Sequence, residues 1–147
     1  MRWFQEKQIL VPFDFSEQSV GAVQVALKLV DKQSDVHVAH VCPYLNTVEP
    51  AVIWDAIDDE KRKDHTIKEM RKTLSDLDAA DVQLNVGFGD PGHVIADLAE
   101  DIPAGLIIIP SHGRSGFKRL LLGSVAERVV RLAKCPVLVL KGNPAEE

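Results

Sequence analysis

Ser111-His112-Gly113, nine further residues, and then Gly123-Ser124 make the spacing in this chain best suited to chemistry. It lies in the run GLIIIPSHGRSGFKRLLLGS from Gly105 to Ser124. Leu106-Ile107-Ile108-Ile109 has the continuity of a buried strand, a basic loop punctuated by glycines follows, and an apolar helical pattern starts at Ser124. A strand that feeds a flexible loop and a helix start presents unbonded N–H groups and the positive end of the helix dipole, which suits an anion such as a phosphate. Glycine at 113 and 123 allows close backbone approach, and the Ser124 hydroxyl can donate to a phosphate oxygen. Ser124-Val125-Ala126-Glu127 also has the form of a capping box, with Ser at the N-cap and Glu at N3. One hydroxyl can serve both purposes, accepting from the helix and donating to a ligand. Glu127 must then face away from the phosphates or help to hold a cation. The stretch is not a P-loop, because no Gly-Lys-Ser/Thr follows a four-residue gap.

Charge supports an anion here and argues against nucleic acid elsewhere. The net charge is −5, yet Arg114, Lys118, Arg119, Arg128, Arg131 and Lys134 stand close together with Glu127 as the one carboxylate among them. The loop cations Arg114, Lys118 and Arg119 read as anion-attracting; Arg128, Arg131 and Lys134 read equally well as a solvated helix face. A second glycine pattern, Gly87-Phe88-Gly89-Asp90-Pro91-Gly92, has the form of a dinucleotide fingerprint. It follows the third strand rather than the first, Pro91 removes an N–H that a pyrophosphate would need, and no acidic residue stands about 20 positions on. A turn and helix start account better for those glycines. His112 invites a general-base reading, but no nucleophile–base–orienter set or carboxylate pair assembles around it, and Ser111-His112 reads as shaping the turn. No catalytic residue is assigned. His40 lies within a strand and reads as a packed, hydrogen-bonded histidine. Cys42 and Cys135 are too few and too isolated for a disulfide framework or a zinc site, and no metal ligand set is assigned.

The elements that must position these residues alternate along the chain. Gln8 to Phe13 reads as a first strand, and Ser16 as the N-cap of a helix to about Lys32. Val36 to Cys42 is a second strand. A polar helix spans about Asp55 to Ala79, with Ile67, Met70, Leu74 and Leu77 as its buried stripe. Val82 to Phe88 is a third strand, and Asp90-Pro91 caps and starts a helix bearing Val94, Ile95, Leu98 and Ala99. Leu106 to Pro110 is the fourth strand. The last helix runs from Ser124 to about Lys134 with Val125, Val129 and Leu132 on one side, and Val137 to Leu140 is the fifth strand. Near-continuous apolar strands alternating with helices predict a Rossmann-like, doubly wound α/β fold: a five-stranded parallel sheet with helices on both faces, and ligands at the carboxyl ends of its strands.

At 147 residues the chain reads as one domain, 1–147, with a frayed tail from about 142. It is long enough to bury about 68–70% of its unfolded surface. Hydrophobic residues are 46% and charged residues 27%, an ordinary globular balance. No apolar run reaches the roughly 18 residues of a membrane span, and Met1 to Lys7 lacks the apolar centre of a secretory signal, so a cytoplasmic location without membrane contact is expected.

The same residues carry a resemblance. Ile9-Leu10-Val11-Pro12-Phe13-Asp14-Phe15-Ser16-Glu17, Val38-Ala39-His40-Val41 and Gly89-Asp90-Pro91 with Ile95 and Ala99 resemble the universal stress protein family. More specific are His112-Gly113-Arg114-Ser115-Gly116, Leu121-Leu122-Gly123-Ser124-Val125-Ala126-Glu127 and Cys135-Pro136-Val137-Leu138-Val139. The resemblance implies five parallel strands and a homodimer joined through the last strand. It also implies an adenine nucleotide, ATP, as ligand. Asp14 would sit at its ribose and base end with Pro12 beside it, and Val41 would offer backbone groups to the adenine edge. Gly113, Gly123, Ser124 and Val125 would lie at the phosphates, with Arg114 screening their charge. Whether Mg²⁺ or Mn²⁺ accompanies the nucleotide is left open. ATP-binding members carry Gly-x-x-Gly, nine residues, then Gly-Ser/Thr; here Pro110 replaces the first glycine, and any contact using that N–H is lost.

Three functions follow for comparison. The first is a regulatory nucleotide-binding dimer, ATP being its ligand, without strong catalysis. The second is a stress-associated interaction module of the same fold that binds no ATP, and Pro110 favours it. The third, an adenylating enzyme, would need a Ser-Gly-Gly phosphate loop after the first strand, which Asp14-Phe15-Ser16-Glu17 does not supply.

Overall fold

The computed structural model describes residues 7–44, 52–112 and 122–142, with side chains from Asp58 onward in the second stretch. Trp3, the Trp54 side chain, Gly113, Arg114, Lys118, Arg119 and residues 143–147 lie outside the described residues. The elements are β1 (Gln8–Pro12), α1 (Glu17–Leu29), a short 3-10 turn (Gln33–Asp35), β2 (Val36–Cys42), α2 (Val52–Thr73), β3 (Gln83–Phe88), α3 (Pro91–Asp101), β4 (Ala104–Pro110), α4 (Ser124–Leu132) and β5 (Val137–Leu140). All five strands pair in parallel, in the order β3-β2-β1-β4-β5. This is the expected doubly wound α/β sheet.

Strand alternation sorts the apolar residues onto two faces. Ile9, Val11, Leu106 and Ile108 face α1 and α2, where they meet Val23, Ala26, Met70 and Leu74. Leu10, Ile107 and Ile109 face α3 and α4, against Ile95, Ala99, Ala126 and Val129. Ile107 and Ile108 are fully buried on opposite faces, each contributing about 1.5–3 kcal/mol.

The sheet is built to open at one place. β1 and β4 pair from Gln8↔Ala104 to Leu10↔Ile107. Beyond that, β1 continues to Pro12 against Ala39 of β2, and β4 continues to Pro110 against Leu140 of β5. Each central strand stays with its outer neighbour, so their carboxyl ends part. Both end in proline, which strands tolerate at termini and which offers no N–H to prolong the ladder. The strand order also reverses between β1 and β4, where ligands of such sheets bind.

Several boundaries differ from expectation. α1 stops at Leu29, three residues before Lys32, because Val30 turns extended and the 3-10 turn follows. α2 spans Val52–Thr73 rather than about 55–79, and Leu77 and Ala79 lie in the turns after it. The last helix ends at Leu132 rather than Lys134. Its inner face is Ala126 and Val129, whereas Val125 is 36% exposed. The glycines after β3 behave as turn and packing residues. Gly89 has φ +132°, and a Cβ on Gly87 would lie 2.5 Å from Val94 Cγ1.

Candidate functional site

A cavity of about 320 Å³ occupies the crevice where β1 and β4 part. Pro12, Phe13 and Asp14 enter it from the end of β1, and Ala39, His40 and Val41 from β2. Ile109, Pro110, Ser111 and His112 come from the end of β4, Pro91 and Ile95 from α3, and Gly123 to Ala126 from α4. One wall is thus a helix start and the opposite wall a carboxylate-bearing loop.

Among the helices that begin at this end of the sheet, α1, α3 and α4 have described N-caps, and their first N–H groups are treated differently. In α1 the N-cap Ser16 accepts from Ser19 N at 3.1 Å. In α3 the N-cap Asp90 accepts from His93 N at 3.1 Å, and Pro91 has no N–H to satisfy. In α4 the N-cap is Gly123, which has no side chain to accept anything. Ser124 is the first helical residue, so the expected capping box does not form, and Glu127 instead pairs with Arg131 at 3.2 Å. The first intrahelical bond is Glu127 N to Gly123 O at 2.9 Å. The N–H groups of Ser124, Val125 and Ala126 precede it and have no intrahelical partner, and all three residues line the cavity. Together with the dipole of a nine-residue helix they make this wall electropositive.

Gly123 places that helix start. Its N–H donates to Ser111 O at 2.5 Å, tying α4 to the end of β4. A Cβ there would stand 2.9 Å from Ser111 O and 3.6 Å from His112 Cα, so the approach of the two backbones requires glycine. Ser111 is buried, and its own N–H donates to Leu140 O at 2.8 Å. The Ser111-His112 pair therefore shapes the turn as expected, while His112, half-buried, also lines the cavity.

On the facing wall Asp14 is held by its own loop. Its Oδ1 accepts from Ser16 N at 3.0 Å and from Ser16 Oγ. His40 Nδ1 lies 2.8 Å from Phe13 O, the packed and hydrogen-bonded histidine expected for this strand.

Pro12, Asp14, Val41, Gly123, Ser124 and Val125 come together around one cavity from three segments of chain. Gly113 and Arg114 lie outside the described residues. The helix cations are engaged elsewhere: Arg128 with Asp90, Arg131 with Glu127, and Lys134 with Glu100 at 2.7 Å. Their reading as a solvated, ion-paired face is the one the geometry supports. The hydrogen bond from His93 foremost, with Arg128 adding to it, holds the Asp90 carboxyl below its usual value. Sequence reasoning missed Pro91 and Ile95 as cavity walls. The strand-turn-helix signal at Asp90 placed α3 correctly, but only the sheet order brings its start beside β1 and β4. Among the described residues no three His, Cys, Asp or Glu side chains converge as metal ligands, and no helix is long and apolar enough to cross a membrane.

Comparison with known proteins agrees with this architecture. The profile of the Universal stress protein family matches residues 6–141. The Universal stress protein MJ0531 of Methanocaldococcus jannaschii is 32% identical over 149 residues, covering 96% of this chain and 85% of that protein. The solved structure of MJ0577, from the same organism, superimposes with a TM-score of 0.70 at 29% identity, over 92% of this chain and 96% of that one. A universal stress protein crystallised in complex with cAMP shares the fold at 23% identity and a TM-score of 0.62, over 91% of this chain and 96% of that one. On the length and strength of these matches, the chain belongs to the universal stress protein family.

Proposed function

We propose that this protein binds an adenine nucleotide, ATP, in the crevice between β1 and β4, and acts as a regulatory stress-response protein without strong catalysis. The observation that carries the reading is a helix start with a glycine N-cap whose first residues, Ser124, Val125 and Ala126, line the same cavity as Asp14, their N–H groups having no intrahelical partner. Phosphate oxygens suit those N–H groups, and the two hydroxyls of a ribose suit a carboxylate that can only accept. Pro12 and Val41 would border the base, Gly113 and Arg114 would join the phosphate end, and the Ser124 hydroxyl, free of a capping duty, would donate to a phosphate oxygen. The cAMP bound by one protein of the same fold supports the ligand class.

Pro110 favours a second reading, an interaction module of the same fold that binds no nucleotide. Proline takes one N–H from the crevice, but the three donors of α4 do not depend on it. Two measurements separate the readings. Denaturing the purified protein and chromatographing the supernatant should release adenine nucleotide, and added ATP should raise Tm. A clean supernatant together with an unmoved Tm would select the second reading.

We also propose a homodimer through β5. This strand lies at the end of the sheet order, and Leu138 and Val130 nearby are 39% and 46% exposed. An uncovered edge with apolar side chains is a surface that proteins ordinarily cover.

A further inference from the structure

We propose that His40 is the positioning residue of this site: through the carbonyl of Phe13 it fixes the peptide plane from which Asp14 projects. The inference rests on the nucleotide reading above. The loop from Phe13 to Ser16 joins β1 to α1, and β2 grips its first residue twice. Phe13 N donates to Ala39 O at 2.7 Å, and His40 Nδ1–H donates to Phe13 O at 2.8 Å. A carbonyl oxygen only accepts, so Nδ1 carries the proton whether the imidazole is neutral or charged. Phe13 O and Asp14 N belong to one planar peptide unit, so the bond that holds the oxygen also sets the direction in which Asp14 leaves the strand. His40 touches the loop again at Phe15, whose ring meets the imidazole edge-on at 5.0 Å and 66°. Phe15 has φ +65°, a conformation that bulky residues keep only where their surroundings hold them. The same imidazole therefore supports both the plane before Asp14 and the strained residue after it.

Positioning can be told from direct contact, because Asn places its amide nitrogen near where His has Nδ1 and Gln places it nearer Nε2. The test compares ATP with 2′-deoxy-ATP by titration calorimetry in the native protein and in His40→Asn, His40→Gln and His40→Leu. The native protein should prefer ATP by about tenfold or more, the scale of one hydrogen bond to a charged group. His40→Leu and His40→Gln should bring the preference toward one, and His40→Asn should keep it within about threefold of native. A native preference in folded His40→Leu, or rescue by Gln and not by Asn, would overturn the proposal. An independent readout needs no ligand. The Asp14 amide resonance should move in His40→Gln and return in His40→Asn, and an unmoved resonance would overturn positioning even if nucleotide binds. Failure of the native protein to bind either nucleotide while the resonance moves would instead overturn the nucleotide reading.

Discussion

Gly123 and Ser124 are neighbours with opposite duties. Gly123 is required by space, since a Cβ would meet Ser111 O at 2.9 Å on a backbone that is itself hydrogen-bonded. Gly123→Ala should cost about 1–3 kcal/mol in a denaturant titration, as overpacking does, and should weaken nucleotide binding; Gly123→Val should abolish it. An unchanged midpoint would mean that the turn at Ser111 yields. Ser124 caps nothing, so Ser124→Ala should alter stability by no more than about 0.5 kcal/mol while reducing affinity for ATP. Ser16→Ala is the contrasting case. That hydroxyl caps α1 and is buried, so its loss should cost about 1 kcal/mol. Equal costs for the two serines would refute the assignment of Gly123 as the cap.

At the scale of elements, the start of α3 is tied to α4. Asp90 accepts from His93 N and pairs with Arg128, while a Cβ on Gly92 would lie 2.5 Å from Arg128 Cβ. The close approach sets the distance between Pro91 on one wall of the crevice and Val125 on another. The Asp90 carboxyl, held below its ordinary 3.8 chiefly by the His93 hydrogen bond, contributes stability that is complete above 3.8. That contribution is lost as pH falls through the depressed value. Asp90→Asn keeps an acceptor for His93 N but loses the charge, so it should flatten this acid limb in urea titrations run below pH 3.8. A mutant limb as steep as the native one would locate the acid sensitivity elsewhere.

For the whole molecule, the amino ends of the strands carry a second titrating group far from the crevice. His37 Nε2 donates to Gln8 Oε1 at 2.6 Å, and Gln8 Nε2 donates to Asp35 Oδ1 at 3.0 Å. His37 Nδ1 is then a buried lone pair without a hydrogen-bond partner. Burial pushes the imidazole below its ordinary 6.5, and Asp35 only partly opposes this. The unfolded chain therefore takes up a proton near pH 6.5 before the folded one does, and stability should fall from there as pH drops toward the folded value. His37→Gln should remove this slope from a pH series of Tm values; persistence of the slope would exclude His37. At the β5 edge of the sheet, Leu138→Glu should shift the protein to monomer in analytical ultracentrifugation if β5 forms the dimer contact, without disturbing the crevice on the far side of β4. A dimer that survives Leu138→Glu would point to another surface.

Much of this molecule is legible in residue order because local physics decides it. Apolar runs mark strands, Ser16 and Asp90-Pro91 mark helix starts, and proline at 12 and 110 marks strand ends, each without reference to distant residues. What sequence could not decide is where those pieces meet. The cap of α4 shows why. Ser124-Val125-Ala126-Glu127 satisfies a local rule, yet Gly123 takes the cap because its N–H is anchored to Ser111 O, and that bond decides where the helix begins. The crevice likewise depends on the strand order β3-β2-β1-β4-β5, which parts Pro12 from Pro110 and brings α3 beside them. Local propensity determined the elements; long-range pairing, in which β1 stays with β2 to its carboxyl end but with β4 only as far as Leu10, decided the cavity.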